Sequence, residues 1–276
     1  MPLSGVGDQH LLRRCDAFTL GLERDAVERV EEIDGGVALL SPGLPLVWSA
    51  NYLCFERSDL GAEGMAELSD RVLGGLGMEH RAVAVLDPAQ SERAEPGFAR
   101  IGWEVERDLF MVQRAQPDRP PAGEVAVRPQ GLPEPLRHRL LLEDEFLATQ
   151  PQPLEPVVEQ LLEWERRQGR VGGDRWYVAE ADGEPAAACR LLSRGGVGQV
   201  EDVATLRATR NRGLARASVL AAAEASQQAG NDLTFVIADA EDWPRKLYQR
   251  LGFEPIGVLL SFRLRPGRRP LPGLRG

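Results

Sequence analysis

The most informative part of the sequence reads Thr205-Leu206-Arg207-Ala208-Thr209-Arg210-Asn211-Arg212-Gly213-Leu214-Ala215-Arg216. The residues before it are typical of a strand, whereas the alanines and leucines after Gly213 favour a long helix. The first turn of a helix has backbone N–H groups without acceptors, and Gly213 has no Cβ that would keep a phosphate away from them. Arg210, Arg212 and Arg216 add positive charge. The stretch therefore predicts an anion-binding loop at a helix N-terminus.

A second pattern lies further along the chain and reads Trp243-Pro244-Arg245-Lys246-Leu247-Tyr248-Gln249-Arg250-Leu251-Gly252-Phe253-Glu254-Pro255-Ile256-Gly257. The residues between the two patterns suffice for the rest of the helix and for one strand. Arg210-x-x-Gly213-x-Ala215 and Leu247-Tyr248-x-x-x-Gly252-Phe253 together resemble the signatures of the GNAT superfamily of N-acetyltransferases. The resemblance implies that the loop holds the pyrophosphate of acetyl-coenzyme A (acetyl-CoA). It also implies an α/β fold with a mixed (α+β) sheet.

The first half of the chain contains a short sequence pattern that recurs in the second half. Gly97-Phe98-x-x-Ile101-Gly102 repeats as Gly252-Phe253-x-x-Ile256-Gly257 at an offset of 252 − 97 = 155 residues, and Gly64-Met65-Ala66 matches Gly213-Leu214-Ala215. A repeat of this length is typical of duplicated domains. The alternative is a chance echo between two similar junctions. We predict two tandem GNAT-like acyl-CoA N-acyltransferase domains.

The first domain is predicted to be degenerate and structural. Gly61 and Glu63 stand where the alignment places Arg210 and Arg212, and carboxylates at a helix start repel a pyrophosphate. Clustered prolines then predict a solvated linker. The predicted boundaries are residues 1–115 for the degenerate domain, 116–124 for the linker, 125–266 for the catalytic domain and 267–276 for the tail.

Composition and charge argue against several classes of protein. The net charge of -9 gives no general attraction to nucleic acid, and no apolar run approaches the roughly 18 residues of a membrane span. The three cysteines are far apart and predict neither a disulfide framework nor a metal site. The N-terminus has no signal pattern. We expect a cytoplasmic monomer or homodimer without a metal, and with neither nucleic acid nor a membrane as partner.

Transfer of an acyl group to an amine needs a base for the ammonium proton and an acid for the leaving thiolate. The resemblance implies that Tyr248 is this acid, because many GNAT enzymes have at this position a tyrosine that donates to the coenzyme A sulfur. The alternative is a tyrosine packed on a helix face. Glu201 and Asp202 are the candidates for the base. Side chains alternate along a strand, so Glu201 would share a face with Val203 and Thr205 while Asp202 points away.

We therefore predict Glu201 as the base. The alternatives are that Glu201 is a solvated charge at a strand end or that it binds the substrate ammonium. The residues predicted to bind acetyl-CoA are Val203, Thr205, Arg210, Asn211, Arg212, Gly213, Leu214, Ala215 and Arg216.

The predicted activity is acetyl-CoA-dependent N-acetyl transfer to a primary amine of a small molecule or peptide, directly within a ternary complex. The alternative is a catalytically silent protein that binds acyl-CoA or acts as a scaffold.

Overall fold

The computed structural model describes residues 6–119, 125–145, 147–149 and 153–267. The helices in these ranges are α1 (Val6–Ala26), α2 (Ala62–Ser69), α3 (Pro88–Arg100), α4 (Glu134–Leu142), α5 (Leu154–Gly172), α6 (Leu214–Gln228) and α7 (Pro244–Arg250). The strands are β1 (Arg29–Ile33), β2 (Gly36–Leu40), β3 (Tyr52–Phe55), β4 (Arg81–Val85), β5 (Glu104–Gln113), β6 (Val127–Gln130), β7 (Arg175–Ala181), β8 (Glu184–Arg194), β9 (Val197–Thr205), β10 (Leu233–Asp239) and β11 (Phe253–Leu264). No helix in these ranges has the length and apolar character that crossing a membrane requires.

The chain forms two compact units that differ from the predicted domains. Unit A consists of Met1–Ala26, Phe110–Ala238 and Asp242–Gly257, and unit B consists of Val27–Leu109, Asp239–Glu241 and Val258–Gly276. The expected boundary after residue 115 therefore does not coincide with the division in the structure, because α1 belongs to the later part of the chain. Of the expected linker, residues 120–124 lie outside the described residues, as do residues 268–276 of the tail.

Unit A is built on a mixed sheet. Its strands follow the order β11-β5-β10-β9-β8-β7-β6, to which β5 and β11 contribute only in part. The strands from β6 to β9 are antiparallel neighbours, whereas β9 and β10 are parallel. The parallel pair is connected through α6, as the sequence predicts for the strand that follows the anion-binding loop. The mixed α/β fold class is thus confirmed.

Helix α1 is an integral part of unit A. The Phe18 ring meets the Phe235 ring of β10 edge-on, with centroids 5.7 Å apart, and Leu22 is 2% exposed. At the helix surface, the Arg14 guanidinium donates to both carboxylate oxygens of Asp232 at 2.7 and 2.8 Å. Apolar and charged residues are interspersed in the sequence of α1. The apolar face of the helix packs against residues of the later half of the chain.

Unit B has its own sheet and core. Its strands follow the order β1-β2-β3-β4-β11-β5, again with parts of β5 and β11. The parallel strands β3 and β4 are connected through α2, and Phe98 of α3 stacks on Phe262 of β11 at 4.1 Å. Each unit therefore contains a strand, a helix and a parallel strand in the same order. That unit B is a degenerate copy stays a prediction.

The structure corrects one detail of the internal alignment. Helix α2 begins at Ala62, and Gly61 precedes it as Gly213 precedes α6. The matching offset is therefore 213 − 61 = 152 residues, and the residues opposite Arg210 and Arg212 are Ser58 and Leu60.

We expect Leu22→Ala to lower the free energy of unfolding by about 2–5 kcal/mol, because it leaves a cavity under α1. The matched control is Arg13→Ala on the exposed face of the same helix, with an expected change within about 0.5 kcal/mol. Urea unfolding monitored by tryptophan fluorescence measures both. Equal effects of the two substitutions would show that α1 does not contribute to the core of unit A.

Candidate functional site

The predicted anion-binding loop lies in unit A between β9 and α6. After Thr205 the chain makes a 3-10 turn, and Gly213 then precedes the helix with φ 79°, a conformation that residues with a side chain rarely adopt. Asn211 also has a positive φ, of 63°. No side chain caps α6, so the N–H groups of its first turn are left for water or a ligand. The structure thus has the predicted strand, loop and helix start, while the anion itself stays a prediction.

Two arginines of the loop form exposed ion pairs. Nη1 of Arg210 donates to Oε1 of Glu145 at 2.7 Å. Arg212 donates to both carboxylate oxygens of Asp182 at 2.8 and 2.9 Å. All four side chains are largely exposed, and ion pairs of this kind contribute little free energy. An anionic ligand can therefore replace either carboxylate at small cost.

Arg216 and Leu214 have different surroundings from those two arginines. The Arg216 side chain is buried, and its Nη2 lies 2.8 Å from Oδ1 of Asp118 and donates to the carbonyl of Arg119. Its charge is thus compensated within the protein, in contrast to the expectation that all three arginines present free charge at the helix start. Leu214 is buried in the core of unit A, which leaves only its backbone for a ligand.

The parallel strands β9 and β10 pair over only part of their length. Their pairing ends at Gln199 and Phe235, although β9 continues to Thr205. Val203 and Thr205 therefore lie on a stretch of β9 that, within the described chain, has no paired strand on the side of β10. Backbone polar groups on such an edge need partners, and an extended ligand can supply them.

Strand β9 contains one residue more than β8 in the same interval. Ala188 pairs with Ala204 and Arg190 pairs with Glu201, so two steps along β8 match three steps along β9. Asp202 lies in this β-bulge and has φ 54°, a left-handed conformation that aspartate tolerates better than most residues.

The predicted opposite directions of Glu201 and Asp202 are therefore wrong. Both carboxylates contact the Arg190 guanidinium: Oε1 of Glu201 accepts from Nη2, and Oδ2 of Asp202 lies 2.9 Å from Nε. The physical reason is the bulge, because a left-handed residue interrupts the alternation that a regular strand imposes.

Four elements of unit A contribute to a charged cluster around this pair. Arg137 on α4 donates to Oε1 of Glu165 on α5 at 2.8 Å and to Oδ1 of Asp202 at 2.7 Å. Arg190 on β8 donates to the backbone carbonyl of Glu165 at 3.1 Å. The cluster thereby ties α4 and α5 to the bulged strand. We use the term charged cluster for Arg137, Glu165, Arg190, Glu201 and Asp202.

Trp176 supports both cations of the charged cluster. The guanidinium carbons of Arg137 and Arg190 lie 5.5 and 5.8 Å from the centroid of the fully buried indole ring. Cation–π attraction and the surrounding carboxylates together offset the desolvation of the two buried cations.

The carboxyl groups of the cluster do not titrate alike. Burial raises the pKa of Glu165 and of Glu201, and the nearby guanidinium groups only partly oppose this. Burial also acts on Asp202, but the attraction of Arg137 and Arg190 outweighs it and lowers the pKa of Asp202. Asp202 is therefore the fixed negative charge, while the two glutamates have an increased affinity for a proton.

Tyr248 lies on α7, where 7% of it is exposed and its ring packs against Phe253. Burial raises the pKa of the Tyr248 phenol above its ordinary value, and the negative charge of Asp202 acts in the same direction. The phenol is thus protonated at neutral pH. The phenol thus interacts electrostatically with Asp202 of the charged cluster.

Sequence reasoning missed Arg137, Glu165 and Arg190. One signal for Arg190 is present in the sequence, because it is a lone charge within the apolar segment Ala186–Leu192 and a buried charge requires a partner. No comparable signal identifies Arg137 or Glu165, since charged residues are ordinary on helices.

Unit B has no arginine pair at the corresponding helix start. Gly61 precedes α2 with φ -77°, and Glu63 in the first turn forms an ion pair with Arg100. A cavity of about 500 Å³ lies there, with Asp59, Glu63, Arg93 and Arg100 among its lining residues. Its lining thus carries two acidic and two basic groups, in contrast to the basic loop of unit A.

We expect Arg190→Gln to lower the free energy of unfolding by about 3–5 kcal/mol, because it leaves buried carboxylates without their cation. The loss should be smaller at pH 5 than at pH 8, since protonation of the carboxyl groups removes the uncompensated charge. Arg194→Gln is the matched control: its ion pair with Asp25 is half-exposed, so a change below about 1 kcal/mol is expected. Urea unfolding at both pH values measures these effects, and similar losses in the two variants would contradict the stabilising role of the cluster.

Solved structures with a similar fold extend over nearly the whole chain. A GCN5-related N-acetyltransferase from Kribbella flavida is 20% identical, with a TM-score of 0.59, and the alignment covers 93% of this chain and 96% of that chain. A functionally unknown conserved protein from Staphylococcus epidermidis ATCC 12228 is 12% identical, with a TM-score of 0.65 and coverage of 86% and 93%. A GCN5-related N-acetyltransferase-like protein from Streptococcus suis 89/1591 is 12% identical, with a TM-score of 0.51 and coverage of 93% and 99%. At these identities the likeness concerns the fold alone.

Sequence comparison adds a similarity to a protein family. A comparison with curated proteins found no match. The model of the acetyltransferase (GNAT) family matches residues 138–253, which include the loop before α6, the bulged strand and Tyr248. The family is described as one of acetyltransferases. Residues 138–253, 116 of the 276 residues of the chain, are therefore similar to the acetyltransferase (GNAT) family.

Proposed function

We propose that the protein is an acetyl-CoA-dependent N-acetyltransferase that acetylates a primary amine of a small molecule or peptide by direct transfer in a ternary complex. The observation that carries the proposal is the position of Glu201 and Tyr248 in unit A together with the uncapped start of α6. A proton acceptor of raised pKa, a protonated phenol and an anion-binding helix start are what this reaction needs from one site.

The residues of unit A fit acetyl-CoA in two respects. The free N–H groups of the first turn of α6 suit a pyrophosphate, and the unpaired edge of β9 at Val203 and Thr205 suits an extended chain of amides. Arg210 and Arg212 are the nearest exposed cations of the loop and can exchange their carboxylate partners for phosphate. Arg216 is buried and contacts Asp118 and the carbonyl of Arg119, so its role is structural.

Acetyl-CoA, when bound, supplies the thioester carbon that the amine attacks and the sulfur that leaves. Glu201 accepts a proton from the acceptor ammonium at a carboxylate oxygen, which gives the neutral amine. Tyr248 would give the proton on its Oη to the sulfur as the carbon–sulfur bond breaks. The attacking nitrogen would lose its second proton as the nitrogen–carbon bond forms, and this proton would restore the Tyr248 phenol. Arg190 keeps the Glu201 carboxylate in place.

A catalytically silent protein that binds acyl-CoA is the second candidate. The contact of Glu201 with the Arg190 guanidinium favours it, because a carboxylate that is paired with a cation is a weaker proton acceptor. An assay of thiol release from acetyl-CoA with a panel of amines decides between the two. Binding of coenzyme A without thiol release from any amine would favour the silent protein.

We further propose that unit B has a structural role, so that one coenzyme A binds per chain. Calorimetry should give a single site, and Gly213→Val should abolish it because valine is strained at φ 79° and its side chain occupies the phosphate position. Gly61→Val, at the equivalent place in unit B, is the matched control and should leave affinity unchanged. Two equivalent sites in the wild-type chain would show that unit B also binds the cofactor.

Tyr248→Phe should keep the affinity for coenzyme A and lower turnover by roughly a hundredfold or more, the effect typical of a lost general acid. The measurement combines calorimetry with initial rates of thiol release. Tyr177→Phe serves as the control, because Tyr177 is a second buried tyrosine of unit A, on β7. This variant is expected to turn over at the wild-type rate. A Tyr248→Phe variant with wild-type turnover would assign the proton to water instead.

A further inference from the structure

We propose that the acceptor is an amine without a carboxylate next to its reacting nitrogen, and that Asp202 and the charged cluster enforce this selectivity. The inference rests on the proposed transferase function and specifies the substrate class of the same site. It predicts that amines, amino-acid amides and peptide N-termini are preferred over free amino acids.

The first argument is the charge balance of the cluster. Three carboxyl groups face two guanidinium groups, which leaves one negative charge when all are ionised. One ammonium group of an acceptor balances this excess. A free amino acid brings both an ammonium and a carboxylate, so its net charge of zero leaves the excess uncompensated.

The second argument is which side chains of the cluster are accessible. The side chains of Arg137 and Arg190 are 7% and 1% exposed, and that of Glu165 is 5% exposed. Glu201 and Asp202 are 24% and 21% exposed. The accessible edge of the cluster is therefore purely acidic. Neither cation of the cluster is available to a carboxylate of the acceptor.

The third argument is that both cations hold Asp202 in place. Its buried Oδ2 forms an ion pair with Nε of Arg190 at 2.9 Å, and its Oδ1 accepts from Nη2 of Arg137 at 2.7 Å. The carboxylate is thereby fixed at the accessible edge, where 21% of the side chain stays exposed to an acceptor ammonium. Asp202 keeps its charge while Glu201 takes the proton, since the pKa of Asp202 is lowered and that of Glu201 is raised.

The test compares amino acids with their amides, which are nearly equal in shape and differ in the carboxylate charge. Tyrosine, lysine, leucine and arginine are paired with tyrosinamide, lysinamide, leucinamide and argininamide. Calorimetry is performed on the full chain with saturating coenzyme A at pH 6.5, where both members of each pair are ammonium ions, since the pKa of an α-amino group is about 7.7 or above. We expect at least one amide to bind about tenfold more tightly than its acid, because a carboxylate at this edge meets like charge.

Two variants locate the selectivity within the cluster. Asp202→Asn and Glu165→Gln each leave two carboxyl groups on two guanidinium groups, but only Asp202 reaches the accessible edge. Asp202→Asn should bring the ratio of amide to acid affinity close to one. Glu165→Gln removes the same charge from the buried side of the cluster and should lower the ratio by less, because Asp202 then stays at the accessible edge. Circular dichroism establishes that each variant is folded. The wild-type ratio and its decrease in 0.5 M NaCl test the proposal if Asp202→Asn does not fold.

Equal or tighter binding of the acids, or no binding of any amide, would overturn the inference. Loss of the preference in Glu165→Gln together with its retention in Asp202→Asn would also overturn it. Failure of the proposed function looks different, because it is an absence of thiol release from acetyl-CoA with every amine. Binding to the complex with coenzyme A is measured without turnover, so the two failures are separable.

Discussion

The site in unit A depends on the burial of two guanidinium groups against one indole ring. An isolated cation in such a place costs several kcal/mol, so Arg137 and Arg190 require carboxylates within contact distance. Glu165 supplies one from α5, and Asp202 supplies one that reaches both cations. A regular strand would direct Asp202 away from Arg190, and the bulge is what makes the second pairing geometrically possible.

Strain and charge therefore support each other in β9. Asp202 adopts a positive φ that costs free energy, and its two ion pairs offset that cost. In return the bulge brings Asp202 to Arg190 on the same side of the sheet as Glu201, the cross-strand partner of Arg190. The next residues of β9 lead past the end of its pairing with β10 and into the loop before α6. One irregular residue thus determines where the Asp202 carboxylate lies.

The sequence predicted the features of the site that depend on local backbone chemistry. The strand, the loop and the helix start around Gly213 follow from propensity and from glycine at a left-handed position, and all are present. The directions of Glu201 and Asp202 were predicted wrongly, because a bulge depends on pairing with a distant strand. The place of α1 in unit A was missed for the same reason. The apolar face of α1 shows that the helix packs against some other element. The contact with β10, however, depends on residues more than 200 positions away in the sequence.

The two ends of the proposed site differ in sign, and this difference has a chemical consequence. Exposed arginines flank the helix start, whereas exposed carboxylates are what the charged cluster presents. A ligand with phosphates at one end and a cationic partner at the other matches this arrangement, while the reverse orientation is opposed at both ends. For the proposed reaction, this distribution of charge would favour a phosphate-bearing donor at the helix start and a cationic acceptor at the charged cluster. Selectivity for the acceptor can then depend on charge as much as on shape. This fits a site whose core is a salt-bridge network packed on a tryptophan, in contrast to an apolar pocket.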